Sequence, residues 1–435
     1  MKVLSLFDGM ACGMIAMLNA GIEVESYDAY EIDKYAIKVS SHNFPNIRHH
    51  GDVFQADFTQ YEGVDFLVGG SPCTYWSIAQ KNNRETEASG MGWELFSQYV
   101  RAVKEAKPKF FIYENNKSMS AAIRESIDKA FGFEAVCINS ALVSAQNRQR
   151  LYWVGIRNQD GTYSKVPVDQ PEDRGILLRD VLESIVQEQV CESQAVGIGY
   201  RGRMEDGKWV KRYESNDEPK ANTLTTVQTD SMVAQPVSVR CRGRESIGGK
   251  LEARTDGKNV VVTANTVGIN IAEPVRVGTL PRSDGAMIDH QQSRIYSIDG
   301  KSTNLNANGG GQGAKTGLYA IPVEFDGDVP TKATSRADGK TYTVYEVKDG
   351  QIAIKCKQYH IKLTDGFYII RKLTVRECMR LQTVPEWYDF SVISNSQAYK
   401  CLGNGWTCDV ITHLIKATQT AGRRKWLMDL LGECL

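Results

Sequence analysis

The sequence predicts an α/β protein in which a mostly parallel sheet is covered by helices and accompanied by a second, β-rich region. Between residues 1 and 157, short apolar runs alternate with helical stretches, an order typical of a parallel sheet buried on both faces. From about 175 to 370 the composition shifts to Gly, Thr, Val, Asn and Asp, which indicates short strands and turns. Helical character then returns. The predicted segments are therefore 1–174, 175–370 and 371–435.

Each predicted strand of the first segment is a short apolar run. The strands are Val3–Phe7, Val24–Tyr30, Phe66–Val68, Phe110–Tyr113, Glu134–Asn139 and Leu151–Ile156. An apolar helix is predicted between Gly13 and Gly21. The last segment is predicted to be helical at Leu373–Leu381 and Ala398–Cys401, and to end in an amphipathic helix over Val410–Leu435.

Composition predicts a soluble protein of a reducing compartment. With 435 residues, 42% of them hydrophobic and 24% charged, the chain can bury a large core and fill two domains. The ten cysteines form no CxxC pair, which favours reduced thiols and a cytoplasmic location. Neither a signal-like segment nor an apolar run of membrane length occurs, so no membrane partner is expected. The balance of 52 basic and 52 acidic residues excludes a generally basic nucleic-acid binder but permits a locally positive cleft.

A cysteine follows the apolar run Val64–Val68, in the loop Gly70–Cys73. A buried strand that ends in this way carries a thiol to the edge of an open α/β sheet, where such folds bind ligands. The alternative is a small apolar cysteine packed in a turn. The next apolar strand ends at Glu114, so a thiol and a carboxylate are predicted on the same rim. That combination favours a catalytic site.

Several short motifs follow one another in a fixed order along the chain. They are Leu4–Gly9 with Gly13, Glu31 at the end of the second strand, Gly51-Asp52, Pro72-Cys73, Glu114-Asn115, Gln146–Arg150, Arg376–Gln382 and Gly403–Trp406. In this order they resemble the DNA (cytosine-5) methyltransferases, over about residues 1–157 and 371–435. The resemblance implies a Rossmann-like methyltransferase domain that depends on S-adenosylmethionine, built from 1–174 and 371–435. It assigns 175–370 to target recognition.

The chemistry of the resembled family gives roles to five residues. Carbon 5 of cytosine is a poor nucleophile, and a thiolate added to carbon 6 turns the ring into an enamine that can attack a methyl group. Cys73, preceded by Pro72, would supply the thiolate, and Glu114 would hydrogen-bond ring nitrogen 3 and the exocyclic amine. Arg148 would bind the base carbonyl or orient Glu114, and Arg150 would support the loop or contact phosphate. Two solvated arginines at a strand edge are the alternative.

The resemblance also implies a pocket for S-adenosylmethionine. Its predicted residues are Phe7, Gly9, Gly13, Glu31, Asp52, Val53 and Asn404. The glycines permit a tight turn, Phe7 packs on adenine, Glu31 accepts from the ribose hydroxyls, and Asp52 accepts from the adenine amine beside Val53. Asn404 shapes the pocket from the returning segment. A nicotinamide cofactor is disfavoured, because residues 9–13 lack the spacing of the dinucleotide fingerprint.

Two positions depart from the family pattern. Asn116 stands where the family usually has Val, so the resemblance does not predict how residues pack behind Glu114. Ala11-Cys12-Gly13 replaces a pair of adjacent glycines, which leaves the contacts to the methionine moiety open.

The 175–370 segment contains weak internal repetition. Asp-Gly-Lys recurs at Asp206, Asp256, Asp299 and Asp338, and Arg-Gly-Arg occurs at Arg201 and Arg242. This spacing suggests duplicated β-hairpin units that recognise DNA. The alternative is that Asp-Gly is a common turn dipeptide.

The sequence therefore predicts an enzyme that methylates a flipped-out cytosine in double-stranded DNA through a covalent cysteine adduct. A monomer without a metal is expected, from a prokaryotic or phage source and in a restriction-modification setting, with a nuclear enzyme left open. Two other functions stay open: an RNA cytosine methyltransferase of the same fold, and a non-catalytic DNA-binding relative. The intact Cys73, Glu114 and Arg148 argue against the latter.

Overall fold

A computed structural model of the chain describes its architecture. The described ranges are 1–78, 84–183, 198–205, 208–215, 238–242, 250–254, 272–281, 287, 289, 293–305, 317–325, 329–335, 339–354 and 357–432. The chain divides into two compact units. The first comprises Met1–Leu182, Ser238–Tyr319 and Lys372–Leu435, and the second comprises Glu183–Val237 and Ala320–Arg371. The segment 238–319 thus belongs to the same unit as the two ends of the chain.

A mixed sheet forms the centre of the first unit. Its strands are β1 (Lys2–Leu6), β2 (Ser26–Tyr30), β3 (Arg48–His49), β4 (Phe66–Gly69), β5 (Phe110–Asn116), β6 (Val136–Asn139), β7 (Gln149–Arg157) and β8 (Tyr163–Lys165). They are ordered β3-β2-β1-β4-β5-β7-β6, and β8 pairs with β7. The chain moves to one side of β1 to form β2 and β3, and then to the other side to form β4. The order in which strands are added therefore reverses between β1 and β4, which is the position where open α/β sheets bind ligands.

Seven of these strands run in one direction, and β7 runs in the opposite direction. β1, β2, β3, β4 and β5 pair in parallel, whereas β7 pairs antiparallel with β5, β6 and β8. The predicted α/β class with a mostly parallel sheet is confirmed, and all six predicted strands occur. Sequence analysis missed β3 and β8 because each is only two or three residues long, too short to show a period.

Both faces of the sheet are buried, as the continuous apolar strands require. Phe66 and Val68 of β4 belong to one hydrophobic cluster, with Ile112 of β5. The intervening Leu67 and Phe111 belong to a second cluster on the opposite face. Successive side chains of a strand point to opposite faces, so this alternation places a hydrophobic layer on each side.

Seven helices are described. They are α1 (Cys12–Asn19), α2 (Lys34–Asn43), α3 (Gly90–Ala106), α4 (Ala121–Phe131), α5 (Val375–Leu381), α6 (Asn395–Asn404) and α7 (Cys408–Gly432). The start of α5 illustrates how sequence sets these bounds. Thr374 accepts from the backbone amide of Glu377, and the Glu377 carboxylate accepts from the Thr374 amide, so two of the free donors at the helix start are paired. Among the helices of the described ranges, none combines the length and apolar character that a membrane crossing requires.

The remaining strands lie in the middle region of the chain, and their described pairings are antiparallel. They are β9 (Ile198–Glu205), β10 (Lys208–Ser215), β11 (Ser238–Arg242), β12 (Lys250–Arg254), β13 (Arg276–Thr279), β14 (Arg294–Ser297), β15 (Leu318–Pro322), β16 (Lys332–Thr334), β17 (Thr341–Lys348), β18 (Gln351–Ile354), β19 (Lys357–His360) and β20 (Gly366–Arg371). In the second unit β17 pairs with β16, β18 and β20, and β18 pairs with β19. The predicted β-rich middle region is confirmed.

Only part of the predicted repeat can be placed. Asp206, Asp256 and Asp338 lie outside the described residues, whereas Asp299 follows β14 in a turn. Asp299 receives a hydrogen bond from Ser297 and pairs with Arg179 at 2.9 Å. The backbone of Arg201 lies in β9 and that of Arg242 in β11.

Candidate active site

A cavity lies within the first unit where strands β1, β4 and β5 end. Including its solvent-open mouth, it encloses about 840 Å³. Its lining residues are Phe7, Asp8, Gly9, Cys12, Glu31, Asp33, Ala36, Gly70, Pro72, Cys73, Thr74, Glu114, Lys400, Cys401, Asn404, Gly405 and Trp406. Residues at or after the carboxyl ends of β1, β2, β4 and β5 line the cavity, and residues of the C-terminal segment complete its wall. Residues far apart in sequence therefore share one enclosure.

Cys73 lies at the first residue of a short 3-10 turn that follows β4. Its carbonyl accepts from the amides of Trp76 and Ser77, at 3.1 and 3.0 Å, which fixes the turn. The thiol is partly exposed, and Pro72 beside it is exposed. A thiol placed on a fixed turn at the wall of a cavity is available to a ligand.

A buried polar network ties this turn to the neighbouring strand. Ser71 and Tyr113 share a hydrogen bond of 2.7 Å between their hydroxyls, and the Asn115 amide donates to the Ser71 carbonyl at 3.2 Å and to the Tyr113 hydroxyl at 3.1 Å. Burial raises the pKa of Tyr113, so its hydroxyl stays neutral. Asn115 thus fixes the distance between the cysteine loop and the strand that carries Glu114.

Asn116, the departure from the family pattern, is accommodated by hydrogen bonds. It is buried, its side-chain amide donates to the Asn115 side chain at 3.1 Å, and its oxygen accepts from the Ser118 hydroxyl at 2.7 Å. A polar side chain with both groups paired can replace an apolar one without an unsatisfied group.

Glu114 is held by two donors, one on each carboxylate oxygen. Arg150 Nε lies 3.1 Å from Oε1, in an ion pair whose side chains are only 11% and 12% exposed. Trp406 Nε1 donates to Oε2 at 3.0 Å. An oxygen of an ionised carboxylate has two lone-pair directions, so each oxygen can still accept a bond from a ligand.

Arg148 lies deeper, and its guanidinium group contacts backbone carbonyls. It donates to the Gly403 carbonyl at 3.2 Å, to the Gly405 carbonyl at 2.9 Å, to the Leu305 carbonyl at 3.2 Å and to the Asn304 side chain at 3.0 Å. Burial lowers the pKa of Arg148 to about 10, and the nearby Arg150 adds to the effect. Arg148 therefore fixes the loop before Trp406, while Arg150 makes the ion pair to Glu114.

The cavity is also lined by Phe7, Gly9 and Glu31. Glu31 accepts three backbone amides at 2.8 Å: that of Gly9 on one oxygen, and those of Ile32 and Asp33 on the other. Gly9 has a φ of 61°, a left-handed conformation that favours glycine. Glu31 thus connects the loop after β1 to the loop after β2.

Three of the predicted cofactor residues are absent from the lining. Gly13 lies in α1, where an added Cβ would approach the Tyr27 hydroxyl to 2.6 Å, so this glycine allows close packing of helix and sheet. The Asp52 side chain accepts from the Phe54 amide at 3.0 Å, and Val53 is buried in the hydrophobic layer. The predicted Asn404 does line the cavity.

Sequence analysis missed three charged lining residues: Asp8, Asp33 and Lys400. Lys400 Nζ donates to Asp33 at 2.6 Å, and although partial burial opposes it, this bond lowers the pKa of Asp33. Asp33 follows Glu31 at the end of the second strand, so the sequence pattern could have indicated it. The sequence around Lys400 gives no such indication, because only the tertiary fold brings α6 to the cavity. Trp406 was part of a recognised motif, without a role.

Of these three residues, Asp8 has the most strongly shifted pKa. Its Oδ1 accepts from the hydroxyls of Ser5 at 2.6 Å and Tyr27 at 2.7 Å. Its Oδ2 is enclosed and has no hydrogen-bond partner within the described ranges. Burial raises the pKa of Asp8 from 3.8 to about 6, against the opposing effect of the two hydroxyls. A cavity with this carboxyl group and Glu31 is suited to a ligand that carries positive charge.

Comparison with known proteins agrees with this geometry. The family model described as C-5 cytosine-specific DNA methylase matches residues 1–420. The orphan methyltransferase M.SPRI of Bacillus phage SPR is 27% identical, over 96% of this chain and 97% of its own. The type II methyltransferase M1.ScrFI of Lactococcus lactis subsp. cremoris is 30% identical, over 48% of this chain and 55% of its own. Among solved structures, the methyltransferase EhMeth of Entamoeba histolytica has a TM-score of 0.52 at 11% identity, over 96% and 97% of the two chains, which shows a shared fold.

Proposed function

Because this chain belongs to the C-5 cytosine-specific DNA methylases, we propose that it methylates a flipped-out cytosine in double-stranded DNA through a covalent adduct on Cys73. The family model makes the chain a DNA (cytosine-5) methyltransferase, and its relatives are named as methyltransferases. The observation that carries the finer proposal is that Cys73 and Glu114 line the same cavity as Phe7, Gly9 and Glu31. The proposed nucleophile and the proposed binding site of the methyl donor thus share one cavity.

The residues of the cavity fit S-adenosylmethionine. Phe7 offers an apolar ring for a purine, Glu31 offers carboxylate oxygens for ribose hydroxyls, and Asp8 offers a negative group near a cationic ligand. When bound, this cofactor supplies an electrophilic methyl group. We assign its binding to Phe7, Gly9, Glu31 and Asn404, with Gly13, Asp52 and Val53 acting through the packing of the surrounding loops.

The proposed chemistry begins when the Cys73 thiolate adds to carbon 6 of cytosine. As the carbon–sulfur bond forms, the electron pair of the carbon 5–carbon 6 double bond shifts toward ring nitrogen 3, leaving an enamine. Nitrogen 3 takes a proton from solvent, and Glu114 accepts hydrogen bonds from that N–H and from the exocyclic amine, which stabilises the charge. Carbon 5 can then take the methyl group that a bound cofactor would supply, and the donor sulfur would keep the electron pair of the broken bond. Water takes the carbon 5 proton, the freed electron pair restores the carbon 5–carbon 6 double bond and expels Cys73 as a thiolate, and nitrogen 3 returns its proton to solvent.

The other groups act on these two residues. Arg150 orients Glu114 through its ion pair, Arg148 fixes the loop that reaches the cavity from Gly403, and Pro72 sets the turn that presents Cys73. A thiol cannot reach carbon 6 inside a stacked duplex, so the base must leave the stack. We assign sequence recognition to the 175–370 segment, which is rich in strands and lies between the motifs of the catalytic segments.

Replacing Cys73 with serine tests the nucleophile. Cys73→Ser should abolish methyl transfer, a loss of about 1,000-fold or more, because a serine hydroxyl forms far too little anion. Cofactor and DNA binding should persist. Wild-type protein should form a trapped adduct with duplex DNA that carries 5-fluorocytosine, which blocks loss of the group at carbon 5. Gel analysis of the adduct and radiolabelled methyl transfer measure both.

Cys137→Ser is the matched control, since Cys137 is a partly buried cysteine of β6 outside the cavity. It should keep wild-type activity. Turnover by the Cys73→Ser variant, or absence of an adduct with wild-type protein, would contradict the covalent mechanism. Methyl transfer to an RNA stem-loop but not to duplex DNA would instead favour the RNA alternative.

A further inference from the structure

Trp406 connects the C-terminal segment to the proposed catalytic carboxylate. Its indole Nε1 donates to Glu114 Oε2 at 3.0 Å, opposite the Arg150 contact on Oε1. The two donors approach different oxygens, so together they fix the plane of the carboxylate as well as its position. One donor alone would leave the group free to turn about its terminal torsion, which is broad in glutamate.

The loop that carries Trp406 is itself fixed from two sides. Arg148 donates to the carbonyls of Gly403 and Gly405, as described above. Gln382, at the end of α5, donates to the Leu402 carbonyl at 2.6 Å and accepts from the Thr407 hydroxyl at 2.9 Å. The residues on both sides of Trp406 therefore have partners, and the indole enters the cavity from a fixed backbone.

The space between Trp406 and Glu114 depends on glycine at position 70. A Cβ added to Gly70 would lie 2.8 Å from Glu114 Oε2 and 3.4 Å from Trp406 Nε1. It would also lie 2.8 Å from the backbone oxygen of Glu114, which cannot move aside without distorting β5. The loop after β4 thus leaves room for this hydrogen bond.

We propose that Trp406 is a positioning residue that aligns the Glu114 carboxylate for the reaction, with Arg148 acting on catalysis through the Trp406 loop. The inference rests on the proposed function of Glu114. Trp406 also lines the cavity, so the rival role is simple packing against the cofactor. The two roles differ in kinetics, because a packing contact changes KM whereas alignment of the reacting groups changes kcat.

The test is Trp406→Phe, which keeps an aromatic ring and removes the N–H donor. We expect kcat to fall about tenfold, the usual effect of one lost hydrogen bond to a charged group, while KM for S-adenosylmethionine and for DNA changes less than about threefold. Trp153→Phe is the matched control. Trp153 Nε1 also donates to a carboxylate, that of Asp128 at 2.6 Å, but it lies outside the cavity lining. Its variant should keep the wild-type kcat.

A Glu114→Gln background shows whether Trp406 acts through Glu114. The further loss caused by Trp406→Phe should then be clearly smaller than tenfold, because the charged acceptor is gone. An undiminished tenfold loss in that background, a change in cofactor KM alone, or an unchanged kcat in the single variant would each overturn the role of Trp406 while Glu114→Gln remains impaired. Wild-type activity of Glu114→Gln would instead overturn the proposed function on which the inference rests.

Discussion

Two carboxyl groups line one cavity, and their surroundings differ. Glu114 has a guanidinium group on one oxygen and an indole N–H on the other. Asp8 has two hydroxyl donors on one oxygen, and its other oxygen has no hydrogen-bond partner among the residues that the structure describes. Burial raises the pKa of Asp8 to about 6, and no cation of the described ranges lies within ion-pair distance to offset the loss of water.

The comparison shows that the strands next to a buried acid decide whether its partners are charged or neutral. Glu114 receives its cation from β7, which pairs with β5 directly: Glu114 lies opposite Tyr152, two residues from Arg150. Asp8 follows β1 in the middle of the sheet, where its neighbours are Ser5 and Tyr27. The carboxylate that we propose for the base thus has a cation as its partner. The carboxyl group that we propose to lie near the cofactor has hydroxyl partners instead.

Removing the cation from Glu114 should have the largest effect. Arg150→Gln leaves a buried carboxylate without its partner, which typically costs about 3–5 kcal/mol in the free energy of unfolding. We expect that loss in urea denaturation, together with at least a tenfold fall in kcat. The double variant Glu114→Gln with Arg150→Gln should recover most of the stability, because neither charge remains, but none of the activity.

Arg179→Gln is the control for Arg150, since Arg179 pairs with Asp299 at the surface with both side chains more than a third exposed. Exposed pairs contribute about 0–1 kcal/mol, so its variant should be close to wild type. If Arg150→Gln destabilises the protein no more than Arg179→Gln does, the ion pair to Glu114 is not the compensation that we describe.

Glu31 is a third carboxylate of the cavity, and it sharpens the comparison because its partners are backbone amides. Glu31→Ala should weaken S-adenosylmethionine binding by about 1–3 kcal/mol, through the lost acceptor for the ribose hydroxyls and the loosened loop at Gly9. Calorimetry measures the affinity. Glu62→Ala, at an exposed glutamate paired with Lys107, is the control and should bind normally. Equal affinity of both variants for S-adenosylmethionine would contradict a ribose contact by Glu31 and would limit its role to connecting the two loops.

Much of this fold was predictable from sequence because short stretches of residues determine where its strands lie. Apolar runs such as Phe66–Val68 and Phe110–Tyr113 predicted buried strands, and the residues directly after them, Cys73 and Glu114, lie at the predicted rim. The end of a strand fixes where the next few residues lie. That rule placed Phe7, Gly9 and Glu31 in the cavity as well.

The partners of those residues were not predictable in the same way. Which of Arg148 and Arg150 reaches Glu114 depends on the register in which β7 pairs with β5: Arg150 belongs to β7, opposite Asn116, and Arg148 precedes the strand. Lys400 and Trp406 reach the cavity from a segment almost 300 residues later than Glu114, and Asp52 contacts its own helical turn. The roles of all these residues, and the domain limits at 174 and 370, stay predictions that the proposed variants address.

The smallest expected effect concerns Asp8 and its dependence on pH. The folded-state pKa of about 6 lies above the value of 3.8 expected for an unfolded aspartate, so the stabilising contribution of the protonated group is complete below about pH 4 and is lost as pH rises through 6. Asp8→Asn keeps an oxygen for the hydroxyls and cannot ionise. Relative to wild type, its free energy of unfolding should rise by about 1 kcal/mol between pH 5 and pH 8, measured by urea denaturation without cofactor. Asp160→Asn is the control: Asp160 is exposed and hydrogen bonds from Thr162 lower its pKa, so both pH values lie above its titration and the difference from wild type should stay constant. A pH-independent difference for Asp8→Asn as well would show that Asp8 is ionised, or neutral, in both conditions, and that the contrast with Glu114 is one of geometry without a difference in charge.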